Sequence, residues 1–348
     1  MLFAQKAHWP ENCSHPKDSN PCCLIMNQQL LNNIKKYAIT CPGQGIIRNG
    51  LLEENKRYRH LFQPYLEEVD FALGYNFSQH LFQRNVSEEE TRNWLQRTSN
   101  AQPAILASTY VTLKAFEKVY DVDLLKNTQF LLGHSLGEYT ALTLSGVFDL
   151  LTAVKIVRER GRLMEEMVRK SHKQFGMIAL IIRPEHVNEV IDLATEHNVL
   201  GNVNSKYQVV ISGELDKLDI FVGVLRKQDK RMLLKAEKLP VSIPFHNTML
   251  KEIVPELKST VKGKIRPQKI PIISNLDGEV STDAMSTVEK TLNANYEPVQ
   301  WIKSMNKLSA SGVNTVLNLG PGTILNAINK RYPVKCIPIE CIEQFSVD

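Results

Sequence analysis

The stretch Gly133-His134-Ser135-Leu136-Gly137 sets a serine between two glycines, each two positions away, with the apolar run Phe130 to Leu132 before it and a helix-compatible run, Glu138 to Ser145, after it. This is the G-x-S-x-G pattern, in which a strand turns sharply into a helix and exposes a nucleophilic hydroxyl. A tight elbow leaves no room for side chains flanking the serine, and the helix beyond it aims backbone N–H groups and the positive end of its dipole at the Oγ. Such a hydroxyl attacks acyl groups when a base takes its proton. Of the nine histidines, His8 and His15 sit near the start of the chain, His60, His80, His172, His186 and His197 lie in polar runs, and His134 adjoins the serine. His246, in "PVSIPFHNTML", alone is flanked by apolar residues and proline at an element boundary, and it is the candidate base.

Glu138, three residues past the serine, fits a dipole-stabilising place in the helix's first turn better than the part of a triad acid. Gln102, Asn202 and Asn204 are readable either as pocket-lining residues or as caps of turns and loops. Cys13, His15, Cys22 and Cys23 match no common zinc spacing, so no metal is expected. The remaining cysteines, Cys41, Cys336 and Cys341, stand at the far ends of the chain and cannot cross-link its middle, which points to a reducing compartment.

These residues need a scaffold. "YAITCPGQG" is a buried strand, Tyr37 to Thr40, that breaks at Pro42 into a glycine-rich turn, and helical stretches over Leu51 to Leu73 and Gln102 to Val119 lead to the strand Gln129 to Leu132. Strand, helix and strand in alternation predict an α/β fold with a parallel sheet. After about Lys170 the texture changes: "FGMIALII", a helix over 183–197, short strands near Val199 to Val203 and in "YQVVISG", a helix over 214–228 and the strand "RMLLKAEKL" give β-α-β-β-α-β, the ferredoxin-like order. The α/β pattern resumes with "IPIISN", a helix through Trp301 to Leu308 and the strand "NTVLNLG". The expected organisation is an extension over 1–36, an α/β-hydrolase-like domain over 37–172 and 240–348, and an inserted ferredoxin-like subdomain over 173–239.

Bulk properties agree with an enzyme-sized globular chain: 348 residues, 43% apolar and 23% charged, with a formal charge of +5 spread without a basic block. Nucleic acid is excluded as a partner and the mild positive field suits anions. No window is apolar for long enough to cross a membrane. Residues 1–36 lack a secretory leader's apolar block, and an organelle transit peptide fits them only in part, since lysines outnumber Glu11 and Asp18 but arginine is missing.

Taken together, the motifs resemble the malonyl-CoA:acyl carrier protein transacylase family from about Tyr37 to the C-terminus: "PGQG" at 42–45, "QPA" at 102–104, "GHSLGEYTAL" around Ser135, "RG" at Arg160-Gly161, "NSKYQVVISG" at 204–213, "PFH" ending at His246, "PVQW" at 298–301 and "GPG" at 320–322. The resemblance implies that Ser135 is acylated, with His246 as general base and acid. Gln44 and Leu136 would give their backbone N–H groups to the oxyanion hole, and the Gln300 backbone carbonyl would orient the histidine. Arg160 would bind the substrate carboxylate, a part its planar fork suits on chemical grounds. Gln102 and Asn204 would lie near the substrate. Phe245, where many stand-alone members have serine, would crowd out α-methyl acyl groups, and Cys41, Ile46 and Ile47 are further departures beside the glycine-rich turn.

The resemblance further implies malonyl-CoA and acyl carrier protein as partners, no metal or bound cofactor, and a monomer. The extra N-terminal segment and the absence of Ser-Gln after "GQG" lean toward the eukaryotic mitochondrial branch, with the cytoplasm as the other setting. Two other readings share the elbow. An α/β-hydrolase esterase or thioesterase places its histidine close to the end of the fold, whereas about a hundred residues follow His246. A catalytically silent carrier-binding module is opposed by the intact Ser135, His246 and Gln44.

Overall fold

The computed structural model describes residues 36–45, 49–83 and 93–343. Most of the segment 1–36, with Cys13, His15, Cys22 and Cys23, and also Ile46 and Ile47, lies outside the described residues. Strand β1 (Tyr37–Cys41) pairs in parallel with β2 (Thr128–Gly133), so that Cys41 stands opposite Gly133. Between them run α1 (Arg59–Leu73) and α2 (Thr98–Tyr120). Helix α3 (Leu136–Leu144) follows β2 directly, and α4 (Leu150–Ser171) starts at Asp149, whose carboxylate caps the Thr152 N–H.

The large sheet is completed by β7 (Ile272–Ile273), β8 (Val280–Ser281), β9 (Thr315–Leu319) and β10 (Lys335–Ile339), in the order β10-β9-β1-β2-β7-β8. All neighbours are parallel except β7 and β8. Alternate residues face opposite sides of a strand, so β1 and β2 serve two cores. Ile39 and Leu131 join the cluster beneath α2, α3 and α4, while Ala38 and Leu132 pack with Trp301, Met305 and Leu308 of α9 (Trp301–Ala310) on the other face.

The second sheet is built from β3 (Phe175–Ile182), α5 (Val187–Glu196), β4 (Leu200–Ser205), β5 (Gln208–Glu214), α6 (Leu215–Gln228) and β6 (Leu233–Lys238). Its order is β4-β5-β3-β6, all antiparallel, and it has its own core around Leu180, Val209 and Phe221. Two backbone bonds fasten it to the large sheet's domain: Val203 N–H donates to the Val299 carbonyl at 2.8 Å, and Val299 N–H to that of Gly201 at 2.9 Å. The remaining described helices include α7 (Val254–Val261), α8 (Ala284–Asn293) and the short α10 (Ile324–Asn329). No helix among the described residues is long and apolar enough to cross a membrane.

Candidate active site

At the carboxyl ends of β1 and β2, where parallel sheets present their ligands, the chain makes two adjacent turns. The glycine turn after β1 carries Gln44, and the elbow after β2 carries Ser135. The sterics of the elbow are explicit. A Cβ on Gly133 would lie 1.9 Å from the Gly137 carbonyl carbon, and one on Gly137 would lie 2.1 Å from the Cys41 oxygen, so the two turns touch backbone to backbone. Ser135 itself takes φ 54° and ψ −109°, a conformation a side-chain-bearing residue holds only when its surroundings impose it.

Those surroundings centre on Asn275, just after β7. Its Oδ1 accepts from the Ser135 N–H at 2.8 Å and its Nδ2 donates to the Gly133 carbonyl. Asn275 is in turn held by Glu138, whose Oε1 accepts the Asn275 N–H at 2.8 Å. Glu138 is fully buried in the first turn of α3, and burial pushes its carboxyl up to about 7. It therefore ties the elbow to β7, besides standing at the helix N-terminus as expected.

The Ser135 Oγ lies 2.7 Å from Nε2 of His246. Across the ring, Nδ1 of His246 is 2.7 Å from the carbonyl oxygen of Ala294, which fixes a tautomer with the proton on Nδ1 and the lone pair of Nε2 toward the serine. Burial, then the Arg160 charge and His134, push His246 down to about 3, so the imidazole is neutral and able to accept a proton at ordinary pH. Gln300 does not orient the histidine as the sequence led us to expect. Its carbonyl accepts from the Ser304 N–H at 3.0 Å, closing the first turn of α9, and Ala294 supplies the acceptor for His246 instead.

Arg160 projects from α4 into the same space and is almost wholly buried. Its Nη2 lies 3.4 Å from Ser135 Oγ, its Nε donates to Asn295 Oδ1 at 2.6 Å, and its guanidinium stands 5.3 Å from the centroid of the Tyr139 ring. Among the described residues no carboxylate comes within 4.0 Å of it. The neighbouring arginines are engaged elsewhere: Arg158 with the Ser99 carbonyl and Asn100, Arg162 with Glu159 and Glu166 on the exposed side of the helix. Gly161 lets α4 approach α2, since a Cβ there would sit 2.5 Å from the Ser99 Cα.

Ser135, His246 and Arg160 open on a cavity of about 670 Å³ between the two sheets. Gln44, Asn202, Asn204, Phe245 and Gln208 also line it. A serine bonded to its base, beside a buried guanidinium that no carboxylate contacts among the described residues, is a site for acyl groups that carry an anion. Comparison with known proteins agrees. A family model described as the acyl transferase domain matches residues 40–335. The malonyl CoA-acyl carrier protein transacylase of Bacillus subtilis (strain 168) is 31% identical over 302 residues, 86% of this chain and 90% of that protein. That of Escherichia coli (strain K12) is 30% identical, covering 85% and 92%.

The chain belongs to the malonyl CoA-acyl carrier protein transacylase family. The solved acyl-carrier-protein-S-malonyltransferase of Bartonella henselae superposes with a TM-score of 0.76 at 29% identity, over 88% of this chain and 97% of that one. That of Vibrio cholerae gives 0.74 at 30% identity, over 87% and 96%. The α/β fold and the acyltransferase activity follow from this membership.

Leu136 is the first residue of α3, where N–H groups have no partner within the helix. Gln44 faces the cavity with its side-chain Nε2 3.3 Å from Thr98 Oγ1. Asn204 bridges His134 Nε2, at 2.8 Å, and Gln208 Oε1, at 3.0 Å. Asn202 keeps a buried Oδ1 with no protein partner. Gln102 is corrected: it is fully buried behind the site, its Nε2 3.8 Å from Met164 Sδ, and it does not line the cavity, because α2 turns it toward α4. Sequence reasoning did not single out Ala294, Asn295, Asn275 or Tyr139. The first acts through its backbone and so leaves no side-chain mark; the two asparagines follow a helix and a strand, where asparagine usually caps or turns. Among the described residues no three His, Cys, Asp or Glu side chains cluster as metal ligands.

Proposed function

We propose that this acyltransferase moves a malonyl group from malonyl-CoA to the phosphopantetheine thiol of acyl carrier protein, by way of a malonyl ester on Ser135, in fatty-acid synthesis. The observation that carries the reading is the buried Arg160 guanidinium, without a carboxylate partner among the described residues, 3.4 Å from the nucleophilic oxygen. His246 Nε2 takes the Ser135 proton as the oxygen adds to the thioester carbonyl. The N–H groups of Leu136 and Gln44 stabilise the tetrahedral oxyanion, each donor lowering the barrier by about 3 kcal/mol. Collapse expels the CoA thiolate, which receives the proton from His246. The carrier's thiol then gives its proton to His246, attacks the ester and leaves as malonyl-carrier, returning the proton to Ser135.

Arg160 pairs with the terminal carboxylate that distinguishes malonyl from acetyl, a charge-assisted contact contributing about 1.5 to 3 kcal/mol. Phe245, on the cavity wall, supports selection against α-methyl groups. The histidine's partner is a neutral carbonyl, which supports acyl transfer without a triad acid. Incubation with malonyl-CoA and intact-mass measurement should show one malonyl group on the protein, absent in Ser135→Ala and discharged by a pantetheinylated carrier. Release of CoA to water with no carrier-bound product would favour a thioesterase instead. The N-terminal segment and the lack of Ser-Gln after "GQG" favour a mitochondrial setting, tested by import and fractionation of the full chain. A monomeric state, which the family likeness suggests, is tested by sedimentation.

A further inference from the structure

The two residues after α8 face the two working groups of the site. The Ala294 carbonyl holds the base through Nδ1 of His246, and the next side chain, Asn295, holds Arg160 through Nε at 2.6 Å. Asn295 is 1% exposed and its amide has only one orientation open to it. The Nδ2 faces acceptors, the Leu292 carbonyl at 2.9 Å, the Thr291 carbonyl at 3.3 Å and the Tyr139 hydroxyl at 3.1 Å, which leaves Oδ1 for the guanidinium. Aspartate is nearly isosteric here, and an acid is the usual companion of a buried arginine. The residue present offers the same acceptor geometry without the charge.

We propose that Asn295 is a specificity-determining positioning residue, a neutral anchor that fixes the Arg160 guanidinium at its Nε edge while leaving it without a contacting carboxylate, open to that of an anionic acyl substrate. The Nε edge being occupied, the two Nη groups remain to receive a carboxylate end-on, and Nη2 already stands 3.4 Å from Ser135 Oγ. Tyr139 completes the seat: its ring face lies beside the guanidinium and its hydroxyl accepts from Asn295. Glu138 acts on the cation only from a distance, and among the described residues no carboxylate contacts it. Because 294 and 295 are consecutive, one short piece of backbone after α8 contacts both the base and the guanidinium.

The inference rests on Arg160 being the carboxylate ligand, and its test separates the two. The single-turnover rate of Ser135 acylation is measured with malonyl-CoA and with acetyl-CoA, for the wild type, Asn295→Asp, Asn295→Ala and Arg160→Ala. Asn295→Asp should lower the malonyl-to-acetyl rate ratio at least tenfold, because an internal carboxylate competes for the guanidinium; Asn295→Ala, which keeps the charge and loses the anchor, should lower it less. Acetylation of Ser135 in each variant reports that the serine and His246 are still assembled, so a ratio is read only from folded, reactive enzyme. Should Asn295→Asp fail to acetylate, Asn295→Ala carries the test, with a lowered ratio supporting the anchor and a wild-type ratio overturning it. A wild-type ratio in Asn295→Asp, with the ratio collapsed in Arg160→Ala, overturns the role of Asn295 alone. A wild-type ratio in Arg160→Ala overturns the reading of Arg160 and the inference with it.

Discussion

His246 serves as a base only while neutral, and its surroundings bear on that more than its own chemistry does. Burial is the largest influence, followed by the positive Arg160, and together with His134 they hold it at about 3 rather than 6.5. Since kcat/KM reports groups of the free enzyme, its value for malonyl transfer should not show a His246 limb between pH 7 and pH 5. A histidine of ordinary pKa would lose about twenty-five-fold over that interval. The kcat profile should differ, because a bound malonyl carboxylate offsets the Arg160 charge and lets the imidazole's pKa rise. The acidic midpoint of kcat should therefore lie above that of kcat/KM. A kcat/KM limb centred near 6.5, assigned to His246 by its loss of rate, would contradict the burial and charge argument.

At the scale of elements, the turn of β2 into α3 depends on hydrogen atoms where other residues carry a Cβ. In Gly137→Ala the new methyl would meet the Cys41 backbone oxygen at 2.1 Å, and a strand carbonyl cannot step aside as a flexible side chain would. The expected cost is about 1 to 3 kcal/mol, seen as a lowered melting temperature, with a fall in kcat as the elbow shifts. Gly223, inside α6, is the contrast. A Cβ there meets nothing within 4 Å, so Gly223→Ala should raise stability by about 0.5 to 1 kcal/mol and leave transfer unaffected. Calorimetric melts of both variants check the pair.

The same comparison explains what a reader of the sequence can and cannot see. The strand before Ser135, the glycines and the antiparallel order of the second sheet follow from local patterns of two or four residues. Asn275 meets Ser135 across 140 positions of sequence, and the Ala294 carbonyl meets His246 across 48. Neither contact leaves a local period. Arg160 is intermediate: the period of α4 sets it on the buried face with Ala153, Val157 and Met164, apart from Arg158, Arg162 and Arg169, but nothing in that period shows its guanidinium reaching Ser135.

Across the whole molecule, the buried site couples protonation to folding, and its two main groups pull in opposite directions. Glu138 is raised from 4.5 to about 7, so the native state holds its proton where the unfolded chain has lost it. Its contribution is complete below about pH 4.5 and is lost as pH rises through 7. His246 is lowered from 6.5 to about 3, so the unfolded chain gains a proton first; its contribution is complete above pH 6.5 and is lost as pH falls through 3. Between pH 4.5 and 6.5 the two slopes, each at most about 1.4 kcal/mol per pH unit, largely cancel in the wild type. Glu138→Gln keeps an acceptor for the Asn275 N–H and removes one of them. The unfolding free energy of the wild type minus that of Glu138→Gln should therefore decline as pH rises from 4.5 to 7, by up to about 1.4 kcal/mol per unit. Denaturant titrations at pH 5, 6 and 7 measure this difference with every other carboxylate common to both proteins. A difference independent of pH would mean that Glu138 titrates alike in the folded and unfolded chains, and that the elbow's brace carries an ordinary carboxylate.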